Sequence, residues 1–77
     1  MKQFEEGKRY GVAGGGEILI EKRTPQYITF SGDFSGRKKV MTIFDHGLFG
    51  LGENVWLKKE VGNGYKMDVL CTAGYEV

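Results

Sequence analysis

In residues 17–31, two runs of β-branched and aromatic side chains flank a Thr24-Pro25 corner. Ile18 and Ile20 precede the corner, and Ile28 and Phe30 follow it, at the two-residue spacing that places side chains on one face of a strand. Proline presets a turn φ and is excluded from the middle of a paired strand, so the stretch predicts a β-hairpin. Its Ile18, Ile20, Ile28 and Phe30 face is the expected floor of the core. Upstream, residues 8–12 predict a short first strand, with Phe4 and Tyr10 anchoring the lead-in, and Gly14-Gly15-Gly16 turns the chain into the hairpin. Downstream, residues 32–36 read as a loop and Arg37-Lys38-Lys39 as a basic corner leading into a third long strand at residues 40–44.

Residues 45–52 set glycines among large apolar side chains in no regular period and read as a loop. A further strand is predicted over residues 53–61, around Val55-Trp56-Leu57. Asn63-Gly64 then favours a tight hairpin turn with positive φ, and residues 65–71 form the return strand. Residues 74–77 either pair at an edge or fray. Reading 46–60 as a helix would place Gly47, Gly50 and Gly52 inside it, at about 1 kcal/mol each relative to alanine. The pattern therefore predicts one domain over residues 1–77, all-β, a small meander of five or six antiparallel strands. Curling into a bent sheet or a small barrel protects its edges.

Composition narrows the function classes. At 77 residues the core must be small, and an aromatic content of 13% lets few side chains bury much area. A net charge of +1 counts against both a strongly basic phosphate-backbone binder and an acidic mimic of DNA. Cys71, the single cysteine, has no internal disulfide partner, and the opening residues lack the apolar run of a signal peptide. A cytoplasmic protein without a membrane span is the expectation.

Converging catalytic groups are not evident in the sequence. His46, the one histidine, follows Asp45 and reads as a solvated loop residue; Cys71 shares its predicted strand face with Met67 and Val69 and reads as a small core residue. Asp33, Asp45, Glu53 and Asp68 are dispersed, with no metal-ligand spacing. The expectation is a non-enzymatic chain with no metal and no cofactor.

Binding features are better represented. Trp56 alternates with Val55 and Leu57: either those two face the core and Trp56 shares the other face with Lys58 and Glu60, or Trp56 is the core member. In the loop around Phe49 and Leu51, large apolar side chains either tuck under the sheet or present a sticky tip. Phe49, Leu51 and Trp56 are thus the candidate apolar anchors for a protein partner, with Arg37, Lys38, Lys39 and Lys58 as a charged rim. The rival reading is a small barrel binding single-stranded nucleic acid, with Tyr27, Phe34 and Trp56 as stacking platforms beside the basic clusters. A homo-oligomer that buries the apolar loop between copies is a third.

Phe4-x-x-Gly7-x-x-Tyr10, followed by Ile18-Leu19-Ile20-Glu21-Lys22-Arg23-Thr24 and Tyr27-Ile28-Thr29-Phe30, resembles a pattern in small proteins of phages, plasmids and integrated elements of Gram-positive gut bacteria. The likeness covers the first half of the chain; the Gly-rich loop at 47–52 departs from it. The resemblance implies a protein that acts by binding, one such class being inhibitors of host defence nucleases, including anti-CRISPR proteins. It carries over no functional residue.

Overall fold

A computed structural model describes residues 2–42 and 52–77. Six strands follow one another: β1 (Arg9–Val12), β2 (Glu17–Arg23), β3 (Tyr27–Gly32), β4 (Gly36–Lys39), β5 (Asn54–Glu60) and β6 (Lys66–Glu76). They form one antiparallel sheet in the order β4-β3-β2-β1-β6-β5. Beyond β4, Met41 exchanges two backbone hydrogen bonds with Asn54 at the start of β5, at 2.9 and 2.8 Å. That bridge joins the two ends of the sheet, so the all-β meander is a nearly closed barrel. Among the described residues there is no helix.

The expected hairpin is present, and its geometry follows from the sequence. Tyr27 N–H donates to the Thr24 hydroxyl at 3.0 Å and Thr24 N–H donates to the Tyr27 carbonyl at 2.9 Å, closing the corner around Pro25. Ile18, Ile20, Ile28 and Phe30 all point into the core. They meet Val55 and Leu57 of β5, Val69, Cys71 and Ala73 of β6, Val12 of β1, and the lead-in residue Phe4. Phe4 and Tyr10 pack edge to face with ring centroids 4.9 Å apart, a geometry that aligns the positive rim of one ring with the negative face of the other.

One irregularity in β2 re-aims a charged side chain. Ile20 pairs with Phe30 but Lys22 pairs with Thr29, so β2 carries an extra residue at this point. Such a bulge reverses the inside-outside parity of the strand beyond it. Arg23 consequently lies opposite buried Ile28 and turns to the interior side, where strict alternation would have sent it outward.

Two sequence-based expectations need correction. The fourth strand is Gly36–Lys39, the basic segment itself, and not residues 40–44; Val40 and Thr42 lie outside strands, Met41 makes only the bridge, and residues 43–44 lie outside the described residues. A strand needs backbone partners more than apolar side chains, and β3 supplies them from Tyr27 to Phe30. The return strand does not stop at Cys71 but runs to Glu76, because β1 offers its second edge: Val12 pairs with Cys71 and Tyr10 with Glu76, across a shift in register. The Asn63-Gly64 turn is as expected, with φ of 50° and 78°.

Candidate binding surface at the barrel seam

Among the described residues, the seam between β4 and β5 has no ladder beyond the Met41–Asn54 bridge. Continuing the register of the Met41–Asn54 bridge would set Lys39 opposite Trp56 and Arg37 opposite Lys58, yet β4 and β5 are the unpaired ends of the sheet order. Arg37 facing Lys58 in a closed ladder would be a like-charge cross-strand pair, which is destabilising. The gap is an open cleft of about 330 Å³ lined by Phe30, Phe34, Leu57, Arg37, Lys38 and Lys58. Its floor is therefore core, and its rim carries three cations together with the Asp33 carboxylate, which accepts the Glu17 N–H at 2.9 Å. A second hollow, of about 620 Å³, continues from it past Phe34 and Lys58 to Gly15, Gly16, Lys59 and Glu60.

Each rim side chain has its direction set by strand parity. Lys38 lies opposite buried Ile28 and so belongs to the inner face, while Arg37 and Lys39 flank it on the outer one. The Arg37 guanidinium sits 3.9 Å from the centroid of the Tyr27 ring, a cation–π contact. Lys58 pairs with Asp68 at 2.5 Å across the β5–β6 ladder, both side chains being more than half exposed. Such a surface pair contributes little and exchanges readily for another anion. Lys59 is engaged differently, donating to the Gly14 carbonyl at 2.6 Å.

Trp56 lies on the outer face of β5 with Lys58 and is 41% exposed, while Val55 and Leu57 face the core. Of the two readings left open by the sequence, the first is the one observed. The seam thus brings Arg37, Lys38 and Lys58 to one cleft, with Lys39 and Trp56 on the outer faces of its two walls. Phe49 and Leu51 lie outside the described residues, as do His46 and Asp45.

Glu53 is where sequence reasoning missed a constellation. Its carboxylate receives both guanidinium nitrogens of Arg23, the Nη2–Oε2 contact being 2.6 Å, and its Oε1 also accepts the Phe4 N–H at 3.0 Å. Arg23 Nη1 donates in addition to the Phe4 carbonyl at 3.3 Å. The hydrogen bond to Glu53 raises the Arg23 pKa above its ordinary value against the opposing effect of burial. This largely buried clasp ties the lead-in, β2 and β5 together at one end of the barrel. Its bonds are all internal, which makes it an architectural pair. Only the bulge in β2 could have signalled it.

Cys71 is fully buried, and desolvation pushes its thiol up to about 12, so it stays protonated and inert at neutral pH. Among the described residues no group of three or more His, Cys, Asp or Glu side chains converges as a metal site, and no helix is long and apolar enough to cross a membrane. No protein-family model, curated protein or solved structure matches the chain.

Proposed function

We propose that this chain is a non-enzymatic protein-binding module whose contact surface is the seam, with Trp56 as apolar anchor and Arg37, Lys38, Lys39 and Lys58 as the charged rim. The observation that carries the reading is the half-exposed Trp56 beside an unclosed, cation-lined strand gap. Tryptophan and arginine are the side chains over-represented where interfaces concentrate their energy. The resemblance in the lead-in and hairpin supports the concrete version: a mobile-element protein that inhibits a host defence nuclease by occupying its surface, in the manner of anti-CRISPR proteins. A near-neutral domain does this through shape and local charge, not by imitating DNA.

The test is capture of partners on the tagged protein from a bacterial lysate with and without nuclease treatment, using wild type and Trp56→Ala side by side. A stoichiometric nuclease that survives the treatment and is lost with Trp56→Ala supports the proposal; capture that vanishes with nuclease sinks it. The second reading, a single-strand nucleic-acid binder, is favoured by the clustering of Arg37, Lys38 and Lys58 around Phe34. Salt separates the two, since phosphate binding weakens steeply as salt rises.

A further inference from the structure

Resting on the reading of the seam as a protein-binding surface, we infer that its occupant is an extended acidic peptide segment that adds to the outer edge of β4 as a further strand. β4 pairs with β3 on one side only, and among the described residues its other edge has no strand partner. An unpartnered edge offers a row of backbone N–H and C=O groups, which is how β-strand addition obtains its affinity. The side chains along this edge select the occupant. Arg37, Lys38 and Lys39 are three consecutive exposed cations, and Lys58 faces them from β5, its exposed bridge to Asp68 easily exchanged. Gly36 completes the strand without a side chain, next to the Phe30, Phe34 and Leu57 floor of the cleft. An antiparallel strand therefore fits best with acidic residues opposite Lys39, Lys38 and Arg37, followed by one apolar residue opposite Gly36. Seating it opposite Lys39 displaces the single Met41–Asn54 bridge that brings β5 up to this edge.

Other occupants fit less well. A second copy pairing β4 against β4 would set cation on cation. A nucleic acid stacking along the aromatics would find Tyr27 already covered by the Arg37 guanidinium and Phe34 packed against the core, leaving Trp56 as the most exposed of the three. An acidic strand would also neutralise Arg37 and Lys58, which a closed β4–β5 ladder would set against each other.

The test uses a fluorescein-labelled peptide, Thr-Val-Glu-Asp-Glu-Leu-Thr-Val, titrated by anisotropy at about 150 mM salt, where exposed charges more than roughly 8 Å apart are largely screened. Saturable binding is expected, with amide chemical-shift changes centred on residues 36–39. Methylating alternate backbone nitrogens of the peptide keeps its charge but removes ladder donors, and should weaken binding roughly tenfold or more. Arg37→Glu with Lys39→Glu, both exposed and expected to leave the fold intact by circular dichroism, should abolish binding of this peptide and confer binding of its Lys-for-acid counterpart. Equal binding of the methylated peptide, or shifts centred away from β4, would overturn strand addition. So would oligo-dT binding more tightly than the peptide under the same conditions. If the peptide fails to bind while a captured protein is still lost with Trp56→Ala, strand addition falls and the binding-module reading stands.

Discussion

Replacing Glu53 by alanine should be among the most damaging single changes in the molecule. The carboxylate is 7% exposed and the Arg23 guanidinium 18%, and together they hold the Phe4 backbone through both its N–H and its carbonyl. Removing one partner of a buried pair costs about 3–5 kcal/mol, because the other charge is left without compensation. Here water can still reach part of the guanidinium, which sets the expectation near 3 kcal/mol. A chain of this length has a total stability on the order of 4–12 kcal/mol, so the change removes a quarter or more of it. With a urea slope of about 1 kcal/mol/M, the unfolding midpoint followed by far-UV circular dichroism should fall by about 3 M. Glu53→Gln keeps one amide oxygen that can accept from the Phe4 N–H and from Arg23 Nη1, but sets its NH2 against Arg23 Nη2 and removes the counter-charge. It should cost less than the alanine change, which keeps the reasoning testable if the alanine variant does not fold. Arg23→Ala combined with Glu53→Ala should cost clearly less than the sum of the two. A loss below about 1 kcal/mol for Glu53→Ala, or strict additivity in the double variant, would refute the account of the clasp.

Other outcomes rest on the same structure. Gly32→Ala would place a Cβ 2.8 Å from the Glu17 carbonyl oxygen at a φ of +114°, and should cost about 2–3 kcal/mol, against about 1 for Gly62→Ala, where φ is +107° and the space is open; paired urea curves compare them. Cys71 should resist an aromatic disulfide reagent in the folded protein and react on addition of urea. Because burial raises its folded pKa from 9.0 to about 12, the stability from keeping the thiol neutral is intact below about pH 9 and is lost as pH rises toward 12. Tyr10, raised by burial as well, acts in the same direction. Urea midpoints at pH 7 and pH 10.5 should therefore fall further for wild type than for Cys71→Ala. Trp56→Ala should change stability by less than about 1 kcal/mol and weaken partner binding at least about tenfold.

What the sequence disclosed and what it hid divide along physical lines. The hairpin was legible because Ile18, Ile20, Ile28 and Phe30 repeat at the period of a strand and Thr24-Pro25 supplies its corner chemistry. The Asn63-Gly64 turn was legible for the same local reasons. β4 was hidden because Gly-Arg-Lys-Lys carries no apolar residue: the strand exists by pairing with β3, and the neighbouring apolar run at Val40 and Met41 drew the expectation past it. The continuation of β6 was half legible: residues 74–77 read as either pairing at an edge or fraying, and residues 74–76 pair, but Gly74 and an irregular register kept alternation from joining them to the return strand. Of the candidate site, the cations and Trp56 were chosen by residue type, but their meeting at one seam depends on how the sheet closes. The Arg23–Glu53 clasp spans thirty positions and depends on a parity reversal at a bulge, so neither residue type nor spacing marks it.

The position of β6 governs the order in which the molecule can be assembled. β1 to β4 are consecutive in the chain and can pair as soon as each has been synthesised, but β1 keeps one edge unpartnered until β6 arrives, as the contact between Cys71 and the Gly11 carbonyl across 60 positions illustrates. A partial chain on the ribosome is thus a four-stranded half-barrel whose core face lacks Val55, Leu57, Val69 and Ala73. Pairings of such long sequence separation place small β domains among the slower folders, on the order of milliseconds to seconds. During that interval the nascent protein has two open sheet edges, at β1 and β4. The lysines and arginine of β4 then act as a gatekeeper against pairing with neighbouring chains until β6 closes the other side.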